Sequence, residues 1–335
     1  MASQANSNDM RTRFSRLLLL LVLSAWSGLA WSQDAKSQSQ DHGCGDQPVS
    51  PGPTKRVPTG VILVKGAWSS ASDSVTPLPE CGSFANNIFH NEYFGIEYPL
   101  SGGWAEKFKG PPPSDTGRYV LAQIGPSDSS KGTNRGNILV TAQDLFFTPL
   151  PAANAIEVIN YTKEHLQEDY KVEAPPSQTR IAGHSFASFS YWSPVSQLHW
   201  HVLATEIRCH VVQIVLTSRD AKLLDSLILE MKSMRLLSDA NAPLCIKDYA
   251  RPENIITRVD PVFTEQRANA VPIRIIIDRS GTVKHIHFLS AFPDQAKAIT
   301  SALQRWKFKQ YLQDGQPIEV ETGVLFGRAA TLQGK

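Results

Sequence analysis

Twenty residues, LHWHVLATEIRCHVVQIVLT (Leu198 to Thr217), limit what this chain can become more than any other stretch. They are rich in β-branched residues and contain no Gly or Pro, the composition of strand rather than helix. The run reads as a hairpin that turns near Arg208–Cys209, which commits this region to antiparallel pairing. Strand and helix signals alternate around it. NILVTAQDLFF (Asn137 to Phe147) is a strand, and Ala152 to Tyr170 sets Ala155, Ile156, Ile159, Leu166 and Tyr170 near one helical face. Thr179 to Trp192 reads as one or two strands. Ser218 is an N-cap candidate with Asp220 in the first turn, and Leu223, Leu224, Leu227, Ile228, Met231 and Met234 recur at helical spacing. Hairpin strands with helices set beside them mean α+β with a mainly antiparallel sheet.

The first 32 residues stand apart from this. Arg11, Arg13 and Arg16 make a positive start, Leu17 to Trp31 an apolar run, and Ala30 with Ser32 the small-residue positions before Gln33, which together read as an export signal. The run is below the roughly 18 residues of a spanning helix. A mature chain starting near Gln33 is therefore expected, periplasmic or secreted. An uncleaved inner-membrane anchor is the alternative and would be the sole membrane contact. Residues 33–59 are Ser, Gln, Asp, Pro and Gly with almost no large apolar side chain, a linker that cannot offset the entropy of ordering. Residues 60–90 form an extended lead-in with one strand-like run, GVILVKGAW (Gly60 to Trp68). About 300 residues remain after the signal, enough for two domains, and they divide as 91–240 and 246–330. FHNEYFGIEYPLSGGW (Phe89 to Trp104) opens the first as an aromatic strand that breaks at Pro99 and Gly102–Gly103.

A net charge of +2 with 19% charged residues does not suit a polyanion partner, so nucleic acid is a poor candidate. The four cysteines lack CxxC spacing, which argues against a redox or zinc role. In an exported chain they allow three disulfide pairings, of which 44–81 with 209–245 is the simplest.

After Asn241–Ala242–Pro243 the pattern restarts. Ile273, Ile275 and Ile277 alternate with Arg274, Ile276 and Asp278, and Arg279–Ser280–Gly281 turns the chain into Val283 to Leu289. Ala296, Ile299, Leu303 and Trp306 then mark a helical face, and Ile318, Val320, Thr322, Val324 and Phe326 line one side of a last strand. The order is β-β-α-β.

That unit resembles the C-terminal domain of the TonB energy-transducer family over about residues 258–328. The carriers are Pro261 and Arg267, IRIIIDRSGTV (Ile273 to Val283), LS followed by Pro293, RWKFK (Arg305 to Lys309), and DGQPIEVETGVLF (Asp314 to Phe326). The resemblance implies docking of a segment of an envelope or outer-membrane transporter protein by strand addition. Glu319, Val320, Glu321, Thr322, Gly323, Val324 and Leu325 would offer the receiving edge, since a terminal strand is often an edge with unpaired N–H and C=O groups. A homodimer through the same domain is a further expectation. Residues 91–237, with FGIEYPLSGGW, two helices and the late hairpin, resemble the PsbP-like α/β/α sandwich proteins, in which the aromatic strand and the Gly-Trp turn seed a central sheet. Departures from the transducers are a cleavable start, a folded domain where a Pro-rich spacer would be, Phe263–Thr264 in place of an aromatic–proline pair, and Gln310 in place of a proline. The expected role is thus docking or scaffolding without catalysis or cofactor, with a membrane-anchored energy transducer as the alternative.

Catalytic motifs are weak. Gly183–His184–Ser185–Phe186–Ala187 lacks the second glycine of a nucleophile elbow and runs on as strand, so a hydrolase built on Ser185 is a minor alternative. His199 with His201 and His285 with His287 stand at i, i+2 and face one way on a strand, but no third ligand lies at recognisable spacing; solvent-facing histidines are expected. Tyr93, Phe94, Tyr98 and Trp104 read as sheet core rather than a ligand wall.

Overall fold

The computed structural model describes residues 78–79, 82–108, 117–127, 136–147, 154–237, 242–264 and 269–327. The expected export signal, the linker, GVILVKGAW and the 44–81 cysteine pair lie outside the described residues.

β1 (Gly82–Ala85), β2 (Ile88–Asn91) and β3 (Ile96–Pro99) come first and pair antiparallel in a small sheet of their own. This corrects the reading of Phe89 to Trp104 as one strand seeding the central sheet. The chain reverses at Glu92–Gly95, where Gly95 has a φ of 64° and a Cβ would collide with the Leu237 carbonyl. Tyr93, Phe94 and Tyr98 are buried in the core as expected, while Trp104 packs at its margin.

The main sheet follows: β4 (Trp104–Phe108), β5 (Arg118–Pro126), β6 (Asn137–Asp144), then helix α1 (Ala155–Glu164), and β7 (Lys171–Ile181), β8 (His184–Ser193), β9 (Leu198–Ile207) and β10 (His210–Ser218). Its order is β4-β5-β6-β10-β9-β8-β7, and every neighbouring pair is antiparallel. The hairpin anticipated from Leu198 to Thr217 turns at Arg208–Cys209, whose φ values of 49° and 54° are the left-handed pair a two-residue turn needs. Edge strand β7 carries Pro175–Pro176 and two register breaks, devices that blunt an edge.

Alternation along β10 divides two cores. Val211 packs with Phe189, Tyr191, Ala204 and helix α1, whereas Val212, Ile214 and Leu216 pack with Ile138, Leu203 and α2 (Ala221–Glu230). The cap of α2 is Asp220, which accepts from the N–H groups of Lys222 and Leu223; Ser218 accepts one step earlier, from Asp220 N–H. Past the helix, β11 (Arg235–Leu236) returns to pair with β3.

The C-terminal part contains β12 (Leu244–Cys245), β13 (Ile255–Thr257), β14 (Val271–Ile277), β15 (Val283–Phe288), α3 (Pro293–Leu303), β16 (Lys307–Phe308), β17 (Tyr311–Gln313), β18 (Gln316–Ile318) and β19 (Val320–Phe326). The β-β-α-β order of β14, β15, α3 and β19 is as expected. The sheet order is β12-β19-β14-β15, with β12 parallel to β19. α3 stops at Leu303, short of Trp306, yet Trp306 is buried and its indole N–H donates to the Val259 carbonyl at 2.7 Å. Both sheet systems belong to one compact unit.

Candidate functional site

β14 reads Val-Pro-Ile-Arg-Ile-Ile-Ile, and a strand turns successive side chains to opposite faces. Ile273, Ile275 and Ile277 join Phe288, Val320, Val324 and Phe326 over α3. The opposite face presents Arg274, and cross-strand pairing sets His287 and Gly323 beside it, with His285 and Glu321 beside Ile276. This second face meets the first sheet system, and Arg274 is only 1% exposed.

A buried charge on that scale requires partners. Arg274 Nη1 donates to Asp144 Oδ2 at 2.6 Å, from the end of β6, and Arg274 Nε donates to Glu321 Oε1 at 3.2 Å. Its Nη2 donates to the Tyr93 hydroxyl and the Arg208 carbonyl. Arg208, at the hairpin tip, donates from Nη2 to Glu321 Oε2 at 3.0 Å and from Nη1 to the Tyr93 carbonyl. The Tyr93 hydroxyl donates to Glu321 Oε1 at 2.7 Å. Two carboxylates thus face two guanidiniums, formally neutral as a set, and the guanidiniums also lie over aromatic rings: Arg208 over Tyr93 and Arg274 over Phe146. Directly beside this cluster, Cys209 is disulfide-bonded to Cys245 on β12, matching the simplest pairing for that half of the cysteines.

Titration follows from the burial. Burial alone would raise Glu321, but Arg274, Arg208 and the Tyr93 hydroxyl bond outweigh it and hold the carboxyl at about 2. Burial, then the neighbouring Arg274 charge, push His210 down to about 3. His210 is therefore a neutral imidazole whose Nδ1 bonds the Arg208 carbonyl at 2.7 Å; its 3.8 Å approach to Asp144 is not an ion pair. Burial raises Tyr93, which stays protonated as a donor. Arg274 is held above its ordinary value because Asp144, Tyr93 and Glu321 outweigh its burial.

The expected receiving edge runs through this junction, and β12, Ile246 and Tyr249 lie along it from Glu319 to Thr322. Val320, Glu321, Thr322 and Val324 are buried, Glu319, Gly323 and Leu325 partly so. β14 pairs one side of β19 from Val320 to Phe326. On the other side, Leu244 N–H donates to the Glu319 carbonyl and Ile246 N–H to the Glu321 carbonyl, and Tyr249 N–H donates to Thr322 Oγ1. Phe146 and Phe147 close over Gly323. Alternation identified the strand correctly, but a two-residue covering strand such as β12 leaves no periodic trace in a sequence.

The other candidates lie elsewhere. His285 and His287 are buried on the junction face, contrary to the solvent-facing reading, because β15 has both faces covered. His199 bonds Glu173 at 2.7 Å and stacks on Trp192, and His201 bonds Ser190 at 2.6 Å. No group of three or more potential ligands exists among the described residues. Ser185 is at the start of β8, after a turn at Ala182–Gly183, so it is on a hairpin and not on a strand-to-helix elbow. It shares a surface cavity of about 310 Å³ with His184 and Glu206. Glu206 there accepts from the N–H of Ala155 at the start of α1. Sequence reading has Tyr93 only as core, Arg208 only as a turn residue and Arg274 only as part of an alternating strand, and it does not bring them together with Asp144 and His210. The signal that could have found them is Arg274 between isoleucines on both sides, a charge inside an otherwise apolar strand.

No family model matches the chain, and no curated protein matches it. Among solved structures it is similar to cyanobacterial PsbP (CyanoP) from Synechocystis sp. PCC 6803, at 16% identity over 47% of this chain and 97% of that one, with a TM-score of 0.33. It is also similar to LpqN, involved in cell envelope biogenesis of Mycobacterium tuberculosis, at 12% identity over 43% of this chain and 83% of that one, with a TM-score of 0.28. Likenesses at these scores carry no argument about this chain.

Proposed function

We propose that this chain is an exported, non-enzymatic adaptor of the cell envelope that holds two sheet systems in one fixed orientation and docks a segment of another envelope protein. The observation that carries the reading is the junction itself. A disulfide and a four-membered ion cluster, contributed by residues from Tyr93 to Glu321, fasten the two systems together. A disulfide that links distant elements belongs to an oxidising compartment, in keeping with the export signal. A buried ion cluster adds little net stability over an apolar core but is selective about geometry. Such a joint suits a protein whose task is to hold position, and the TonB-like C-terminal module supplies the docking surface.

The test is expression of the whole chain in a Gram-negative host, with fractionation, sequencing of the mature N-terminus, and cross-linking of the intact envelope. The expected result is a periplasmic protein starting near Gln33 that cross-links to an envelope protein through its C-terminal module. Retention in the inner membrane with the N-terminal segment intact would favour an energy transducer instead. Absence of any envelope cross-link above a control lacking residues 246–335 would sink the docking reading.

A further inference from the structure

β12 is an unusual element. It is two residues long, it is the sole parallel pairing among the described strands, and Leu244 within it is 37% exposed. The Leu244 and Ile246 amides donate to the Glu319 and Glu321 carbonyls, and the parallel pairing spans two residue pairs, Leu244 with Val320 and Cys245 with Glu321. So short a pairing has little stability of its own, since nucleated secondary structure depends on length and on packing of a buried face. What fixes it is Cys245, tied to Cys209 at the tip of the β9–β10 hairpin, a residue 36 positions earlier. Beyond Ile246 the chain is anchored independently: Tyr249 is buried, its N–H donates to Thr322 Oγ1, and its hydroxyl donates to the Lys309 carbonyl at 2.7 Å. The segment therefore has a firm anchor on its C-terminal side and a covalent clip at Cys245.

The clip is reachable. Cys209 and Cys245 are both partly exposed, and Cys245 lines a surface cavity of about 340 Å³ together with Arg208, Arg279, Leu244 and Glu319. Exposed disulfides are the ones thiol exchange reaches.

We propose that β12 is a redox strap over the edge of β19, clipped shut by the Cys209–Cys245 disulfide and opened by a dithiol reductant. The reductant's thiolate attacks the Cys245 sulfur, forming a mixed disulfide and releasing Cys209 as a thiolate that takes up a proton. The second thiol of the reductant then displaces Cys245, leaving two protein thiols and one oxidised reductant, a transfer of two electrons and two protons. With the clip gone, Leu244 and Cys245 leave β19 while Tyr249 holds. The freed Glu319 and Glu321 carbonyls form an edge that accepts an extended segment. The strap thereby makes the expected docking edge conditional, and in this respect it rests on the docking function proposed above.

Hydrogen exchange on the full chain, oxidised and after treatment with a dithiol, tests the strap without any partner. The expected result is at least ten-fold faster exchange at Leu244 and Ile246, with the β14–β19 ladder unchanged, and the same pattern in Cys245→Ser without reductant. Unchanged protection at Leu244 and Ile246 would overturn the proposal, as would acceleration spread through the β14–β19 ladder. Envelope cross-linking in both redox states separates this from the docking reading. A strap that opens while neither state captures an envelope protein removes the docking partner and leaves the strap standing.

Discussion

The C-terminal sheet has two faces buried to the same degree and built from opposite materials. Ile275 is 0% exposed over α3, and Arg274, the adjacent residue, is 1% exposed against the first sheet system. On the helix side, apolar area removed from water supplies the stability, and shape needs only to be approximately right. On the junction side each charge has lost its hydration and regains it only through named partners at fixed angles. Equal burial therefore hides unequal tolerance: one face accepts conservative change, and the other fails when a single member is removed.

The largest effect should come from breaking the cluster at its centre. Arg274→Met is expected to cost about 3–5 kcal/mol, because Asp144 and Glu321 stay buried with their charge uncompensated. Urea unfolding would measure it, and replacing Asp144, Arg208, Arg274 and Glu321 together by apolar residues of similar volume should recover most of the loss. On the apolar face, Ile275→Ala should cost about 3 kcal/mol through lost burial and a cavity, and Ile275→Val about 1 kcal/mol. If both faces responded alike to conservative swaps, the contrast would be wrong.

Gly323→Ala tests the packing between the faces. Its Cβ would lie 2.8 Å from Phe147 Cζ and 3.1 Å from Phe146 Cγ, so overpacking should lower stability by about 1–3 kcal/mol. Acid provides a probe that changes no residue. His210 binds a proton near 6.5 when unfolded but only near 3 when folded, so stability should fall as pH drops through that window, by at most about 1.4 kcal/mol per pH unit. Glu321, held at about 2 when folded, adds a loss in the same direction between its ordinary carboxylate range and 2. Thermal melts from pH 7 to pH 4 would reveal the decline, and a flat profile would contradict the neutral assignment of His210. The smallest change is expected at exposed Leu312, where Leu312→Ser should stay within about 0.5 kcal/mol in the same urea assay.

Sequence reading succeeded where the deciding physics is local. The turn at Arg208–Cys209, the antiparallel sheet, the shared burial of Ala155 and Ile159 on α1 and that of Ala296, Ile299 and Leu303 on α3 all follow from periodicity and turn chemistry. It failed where a distant element decides. The need for glycine at position 95 comes from the Leu237 carbonyl, and the burial of His285 and His287 from a second sheet. A strand's alternation reports that it has two faces and says nothing of what lies against its edge.

The hairpin tip carries a cost that its own sequence does not repay. Asn-Gly would occupy left-handed backbone more comfortably than Arg208–Cys209, and each such non-glycine residue costs on the order of 1–3 kcal/mol. Yet Arg208 reaches Glu321, 113 positions away, and Cys209 holds Cys245. The turn is thus frustrated locally and satisfied only globally, so a change to Asn-Gly should favour the isolated hairpin while uncoupling the two sheets. A turn that looks poorly chosen in isolation is explained only by the assembly of the whole molecule.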